Sequence, residues 1–291
     1  MKIVAFETGG GPRLGVVSGD EVVDLRAADA VLTGDLATLL VRMNGDLAPL
    51  ADMAQRAPAS ARRPLAGIRY GLPVERPGKI ICLGLNYLDH VKEGTQRDNI
   101  PKFPTIFLRC LTSMVPHEAS IIRPRVSEQL DYEGELVAIV GKRVKHLTPD
   151  TALACIAGYS CCNEGSVREF QRHTTQFGLG KNFDRTGGFG PWMVTADDLP
   201  PGGKGLKLTT RLNGQTMQSD TTENMMFPLI ETLVYATQAM TLEPGDVIIT
   251  GTPSGVGFAR KPPVWKKPGD VCEIEIEGIG VLRNPVEAEM G

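Results

Sequence analysis

Apolar positions at the start of the chain alternate in short runs rather than forming helical stripes. "KIVAF" and "RLGVV" flank a glycine-rich turn, and "GVVSGDEVVDL" carries a hairpin signal at Ser18-Gly19-Asp20, so the chain opens on short strands. Residues 35–57 change period and read as helical, with Asp35 as the N-cap ahead of "LATLLVRM". From Pro58 to Pro77 the chain is rich in Arg, Pro and Ala without a clear period, as a connection is. A boundary near residue 75 then precedes the apolar strand "KIICLG", giving a small N-terminal domain (1–75) and a larger one (76–291). Beyond it, strands punctuated by Gly and Pro dominate: "TIFLR", "ELVAIVG", "PWMVT", "LKLTTRLNG", "DVIIT" and "VCEIEIEG". Helical stretches are few, chiefly 166–173 and 225–239. This pattern predicts an α+β fold dominated by sheet, a barrel or roll, over an alternating doubly wound fold.

Composition narrows the partners more than the fold. Of 291 residues 42% are hydrophobic and 22% charged, as in an ordinary globular protein with a sizeable core. A net charge of −3 argues against nucleic acid or an anionic membrane as the main partner. No apolar run approaches the ~18 residues of a membrane span, and "MKIVAFETGGG" does not read as a signal peptide. The six cysteines include no C-x-x-C pair and read as reduced, buried thiols of a cytoplasmic protein.

Candidate chemistry begins in "DYEGELVAIVG". Side chains alternate across a strand, so Glu133 and Glu135 share a face with Cα atoms roughly 7 Å apart. Elsewhere such acids are simply wet: "VCEIEIEG" sets Glu273, Glu275 and Glu277 against Cys272, Ile274 and Ile276, a half-buried strand with a solvated side. The earlier strand is apolar on both faces beyond its acids, which marks it as buried. Two carboxylates at its end either bind a divalent ion, which with hydrogen bonds offsets their desolvation, or lie at a solvated strand end. "GYSCCNEGSVREFQ" offers a third acid, Glu164. If this stretch is helical, Glu164, Arg168 and Gln171 share a stripe, and a surface Glu164–Arg168 salt bridge is the plain alternative. Three carboxylates without His or Cys suit Mg²⁺ or Mn²⁺ rather than Zn²⁺.

Four histidines are present. His90 in "NYLDHVKEG" has Glu93 at i+3, which makes either an oriented general base or a surface pair. His146 reads as a solvated loop residue, and His117 and His173 have no evident partners. Lys181 in "GLGKNFD" is placed either to neutralise a carboxylate cluster or to sit at the surface. "DVIITGTPSGVG" lacks the P-loop and dinucleotide patterns; its glycines either let backbone N–H groups and the Thr252 hydroxyl approach a carboxylate or simply form a structural turn.

Taken together, "KIICLGLNYLDHVKEG", "DYEGELVAIVGK", "GYSCCNEGSVREFQ", "GKNFD", "GPWMVT", "LNGQTMQ", "LEPGDVIITGTPSGVG" and "EIEGIGVLRNPV" resemble the fumarylacetoacetate hydrolase family over roughly residues 76–288. The resemblance implies a mixed β-roll catalytic domain, a homodimer and a Mg²⁺ or Mn²⁺ ion. Glu133 and Glu135 match the family's E-x-E metal pair and Glu164 its third ligand, usually an Asp. His90 and Glu93 match the water-activating dyad and Lys181 the active-site lysine. Arg168, Gln171 and Thr252 match positions around the substrate carboxylate. The reaction expected is hydrolysis of a C–C bond in a 2-oxo or β-diketo acid of the acylpyruvate or fumarylpyruvate type. The alternative on the same site is decarboxylation of a 2-oxo diacid such as oxaloacetate, or a hydratase or isomerase step of aromatic catabolism. Specificity is expected from the segment between Tyr87 and Pro104 and from loop shape.

Overall fold

The expected hairpin forms between Gly11–Ser18 and Glu21–Asp24, leaving Gly19 and Asp20 as the turn. A computed structural model describes residues 1–94 and 99–290, so positions 95–98 of the expected specificity segment, and Gly291, lie outside the described residues. Asp35 caps as expected, its Oδ1 accepting from the Thr38 backbone N–H at 3.0 Å. The single helix expected over 35–57 is instead two, Leu36–Arg42 and Pro49–Arg56. Asn44 and Gly45, at φ 51° and 76°, take the left-handed conformation between them, which no helix can continue through.

The architecture is α+β with mixed sheets. Among the described residues, a 12-stranded sheet has at its centre Ile156–Asn163, Gly134–Val140 and Val247–Ile249, flanked by Gly187–Thr195 on one side and Ile80–Gly84 on the other. A five-stranded sheet, with Lys207–Leu212, Val271–Ile276 and Gly280–Ala288 at its middle, packs against it. The first strand, Lys2–Thr8, pairs with Gly187–Thr195 through Lys2↔Val194 and Ile3↔Met193, so strands from 1–75 and from 76–291 share one sheet.

Gly134–Val140 explains its own two-sided apolar pattern. Leu136, Ala138 and Val140 pack with Leu208, Ile274 and Leu282 of the second sheet. Val137 and Ile139 face the other way and pack with Ile3, Leu39, Leu40 and Ile249. Every residue of the strand is buried. Any acid on this line of chain therefore sits between two cores. By contrast Val271–Ile276 alternates half-buried acids with buried apolar residues, as its sequence predicts.

Candidate functional site

The carboxylates gather where the central strands begin or end. Glu133 directly precedes Gly134–Val140, Glu135 is its second residue, and Glu164 follows the last residue of Ile156–Asn163. Because those two strands run antiparallel with Gly134 opposite Asn163, the three acids meet at one edge. The Glu164 N–H donates to the Glu133 carbonyl at 2.8 Å, fixing the junction. One oxygen of each carboxylate lies within 4.8 Å of the others, and all three residues are buried. Glu164 thus reaches the cluster from an extended strand end rather than from a helix. The short helix starts only at Arg168, so no Glu164–Arg168 stripe exists. Gly165 is needed for space: a Cβ there would run into the Thr186 carbonyl oxygen.

Three cations answer the acids. Lys181 Nζ, buried, donates to Glu133 Oε2 at 2.6 Å and to Glu164 Oε2 at 2.7 Å. Arg168 pairs with Asp131 Oδ2 through Nε at 2.8 Å and with Glu133 Oε1 through Nη2 at 2.6 Å. Arg109, also buried, holds the Gly165 carbonyl at 3.1 Å and lies 3.8 Å from Glu164 Oε1. Burial alone would raise the Glu133 carboxyl, but Arg168 and Lys181 outweigh it and hold the group well below the usual carboxylate range. Glu135 goes the other way: burial, then Glu164 and Glu133, push it well up. Burial disfavours the Lys181 ammonium, yet Glu133 and Glu164 overcompensate and raise it.

The donor set fits a hard divalent cation. Glu164 Oε1 is buried and receives no hydrogen bond. Among the described residues Glu135 has no ion-pair partner, and it accepts from the Gly251 N–H. A vacant oxygen and a carboxylate crowded by two others are what an all-oxygen ion site offers. Glu164 closes the triad although it is a methylene longer than the family's usual Asp.

A cavity of about 40 Å³ adjoins the triad, and its walls include His90, Glu133, Glu135, Glu164, Arg168, Gln171, Lys181 and Thr252. Of the expected site residues only Glu93 stands behind this lining. Its Oε1 lies 2.8 Å from His90 Nδ1, and its Oε2 accepts from the Gly255 N–H at 2.8 Å. His90 is thereby held in one orientation, with Nε2 left for chemistry. Gln171 Oε1 accepts from Arg168 Nη1 at 2.9 Å. The Thr252 hydroxyl donates to the Gly134 carbonyl at 3.0 Å and accepts from Gln218 Nε2 at 2.7 Å.

Three contributors were not singled out from sequence. Asp131, fully buried, accepts from Arg168 Nε and from the N–H groups of Tyr132, Gly257 and Phe258. Its signal was present, since Asp131, Glu133 and Glu135 share a period of two. Arg109 ends the apolar run "TIFLR", a position where a cation has to be paired if the strand is buried. Phe258 shows no local signal; its ring centroid lies 6.4 Å from that of His90. Among the other histidines, His146 is exposed as expected, whereas His117 does have partners: Nδ1 accepts from the Arg283 N–H at 3.0 Å and the ring meets Tyr70 edge-on at 4.5 Å.

Residues 79–287 match the family described as Fumarylacetoacetate (FAA) hydrolase C-terminal. The bovine protein named oxaloacetate tautomerase FAHD2A, mitochondrial, is 38% identical over 98% of this chain and 91% of its own length. Among solved structures, a fumarylacetoacetate hydrolase from psychrophilic Exiguobacterium antarcticum is 38% identical, with a TM-score of 0.86 over 99% of this chain and 100% of that one. A maleylpyruvate hydrolase from Sphingobium, in complex with manganese (II) ion and pyruvate, is 28% identical with a TM-score of 0.80 over 100% of both chains. The chain belongs to the fumarylacetoacetate hydrolase family of enzymes, and its buried acid triad can hold a metal ion. No helix among the described residues is long and apolar enough to cross a membrane.

Proposed function

We propose that this enzyme moves a proton at the carbon beside the 2-oxo group of a short 2-oxo diacid of the oxaloacetate type, interconverting keto and enol forms. Decarboxylation of the same class of substrate is the neighbouring outcome. The observation that carries this reading is the meeting of an oriented His90 and the Glu133–Glu135–Glu164 triad at one small cavity. Keto–enol interconversion needs a base and an electron-withdrawing centre at the same carbon, and little else. Similarity over nearly the whole chain to a protein named as an oxaloacetate tautomerase supports the substrate class.

Glu133, Glu135 and Glu164 would hold Mg²⁺ or Mn²⁺, which when bound supplies Lewis acidity that makes the hydrogens beside a 2-oxo group acidic. His90 takes such a hydrogen at Nε2 and returns it to the same carbon or to the enol oxygen. Glu93 keeps the proton on Nδ1 and steadies the imidazolium while it exists. Lys181, already drawn to Glu133 and Glu164, places a fixed positive charge beside the oxygen on which negative charge develops. Arg168, Gln171 and Thr252 complete the wall that receives the substrate carboxylate.

Hydrolysis of an acylpyruvate-type C–C bond is the second reading. The same His90–Glu93 pair activates water in it, and the solved maleylpyruvate hydrolase is similar over the full length. A panel of oxaloacetate and acylpyruvates, followed by loss of enol absorbance with Mg²⁺, Mn²⁺ or excess chelator, separates the two. Metal-dependent acceleration confined to oxaloacetate supports the proposal; turnover confined to acylpyruvates, with carboxylic acid release, refutes it.

A further inference from the structure

Cations near the triad are almost all spent on protein carboxylates. Lys181 is bound to Glu133 and Glu164, Arg168 to Asp131 and Glu133, and Arg109 stands against Glu164. Two are not: Lys266, whose Nζ is buried without a hydrogen-bond partner, and Arg172, which is exposed. Arg172 ends the helix Arg168–Arg172, one turn beyond Arg168 and so on the same side. Its guanidinium carbon sits 4.6 Å from the centroid of the Phe258 ring. Arg168 approaches that ring at the same 4.6 Å, and His90 lies 6.4 Å from it, ring to ring. Arg172 is exposed, and no carboxylate pairs with it among the described residues.

Phe258 makes this an ordered cation rather than a loose surface charge. The Phe258 N–H donates to Asp131 Oδ2 at 3.0 Å, so its backbone is tied to the acid that also fixes Arg168. A guanidinium over an aromatic face gains from the ring quadrupole and loses side-chain freedom before any ligand arrives. Partial burial, then the charge of Arg168, lower the Arg172 pKa. The two guanidinium carbons cannot be farther apart than twice their common distance to the ring.

The geometry points to Arg172, held by Phe258, as the residue that recognises the distal carboxylate of a 2-oxo diacid. This rests on the 2-oxo acid reading above and adds the second negative charge as the selected feature. Once the first carboxylate and the 2-oxo oxygen are engaged at the triad, the remaining carboxylate needs a cation that is not already paired, and Arg172 supplies it. A neutral tail at that position gains nothing from Arg172, so diacids are preferred over their monoesters.

The test compares wild type, Arg172→Gln and Arg172→Lys in the presence of Mn²⁺. Binding of malate, a non-reacting 2-hydroxy diacid, and of its 4-methyl ester is measured by calorimetry, alongside steady-state kinetics on oxaloacetate. Wild type should bind the diacid more tightly than the ester. Arg172→Gln should erase that preference, weakening malate on the order of ten- to a hundred-fold with the ester nearly unchanged. It should raise KM for oxaloacetate far more than it changes kcat, and Arg172→Lys should recover part of the loss. Equal binding of diacid and ester by wild type, or an equal effect of Arg172→Gln on both, overturns the inference. If the diacid preference is present and Arg172-dependent but oxaloacetate is not turned over, the proposed reaction falls while the recognition role stands.

Discussion

The backbone N–H of Gly255 donates to Glu93 Oε2 at 2.8 Å, which ties the helix Leu88–Glu93 to the glycine-rich loop that follows Val247–Ile249. The other oxygen of Glu93 meets His90 Nδ1. One carboxylate therefore sets both the tautomer of the imidazole and the position of its helix over the cavity. Glu93→Gln keeps the shape but removes the charge that stabilises a protonated ring. We expect kcat on oxaloacetate to fall on the order of ten- to a hundred-fold with KM within a few-fold of wild type, read from steady-state kinetics. An unchanged kcat would show that Glu93 only braces the helix.

Lys181→Met removes a buried ammonium that lies between Glu133 and Glu164. Those carboxylates would then keep only Arg168, on Glu133, and the more distant Arg109, beside Glu164, against their charge. Breaking a buried pair of this kind costs about 3–5 kcal/mol. Denaturant melts should show a loss of that size in the metal-free variant, with part recovered when Mn²⁺ is added. A variant as stable as wild type without metal would mean that the lysine charge is not what balances the acids.

Metal binding should be visible without turnover. An ion that binds only the folded protein at a hundred times its Kd stabilises it by about 2.7 kcal/mol. Thermal melting should therefore shift upward with Mn²⁺ or Mg²⁺ and return with chelator. Glu135→Gln, which takes one oxygen ligand from the triad of acids within 4.8 Å, should remove most of the shift. A full shift in that variant would place the ion elsewhere.

His117 gives a pH signature away from the triad. Burial, then the Arg283 charge, lower its pKa from 6.5 to about 4. Its Nδ1 accepts from the Arg283 N–H, Glu118 Oε1 lies 3.9 Å from Nε2, and Tyr70 covers the ring. The folded value is below the unfolded one, so the stability from the neutral ring is fully present above pH 6.5 and is lost as pH falls from there toward about 4. Over that window the unfolded chain binds a proton that the folded chain refuses, which costs at most ~1.4 kcal/mol per pH unit. Urea melts between pH 7.5 and 4.5 should show a shallower decline in His117→Gln than in wild type. Parallel curves would remove His117 from the acid response.

The sheet-dominated fold was legible because its signals are local. "DYEGELVAIVG" is apolar on both faces and is buried on both, while "VCEIEIEG" alternates and is half-buried. The E-x-E pair could be read as buried for the same reason. What the pattern could not supply was geometry between elements. Glu164 looked helical because Arg168 and Gln171 follow at helical spacing, but Arg168 spends its charge on Asp131 and Glu133 instead. That leaves Glu164 on a strand end facing Lys181. The helix expected over 35–57 failed at Asn44-Gly45, where a turn signal was outweighed by the apolar run before it. Phe258 and Arg109 act through partners far away in sequence, and only the folded chain brings those partners to them.

The central claim is proton transfer by His90 on a 2-oxo diacid at the acid triad. Its most direct measurement is the decay of the enol absorbance of oxaloacetate with Mn²⁺-loaded wild type and His90→Ala, with pyruvate assayed in parallel. We expect wild type to accelerate the decay well beyond the Mn²⁺ control and His90→Ala to lose about 10²–10⁴-fold of that acceleration while still binding the metal. A decay in wild type no faster than Mn²⁺ alone, or a His90→Ala variant as fast as wild type, would contradict the account.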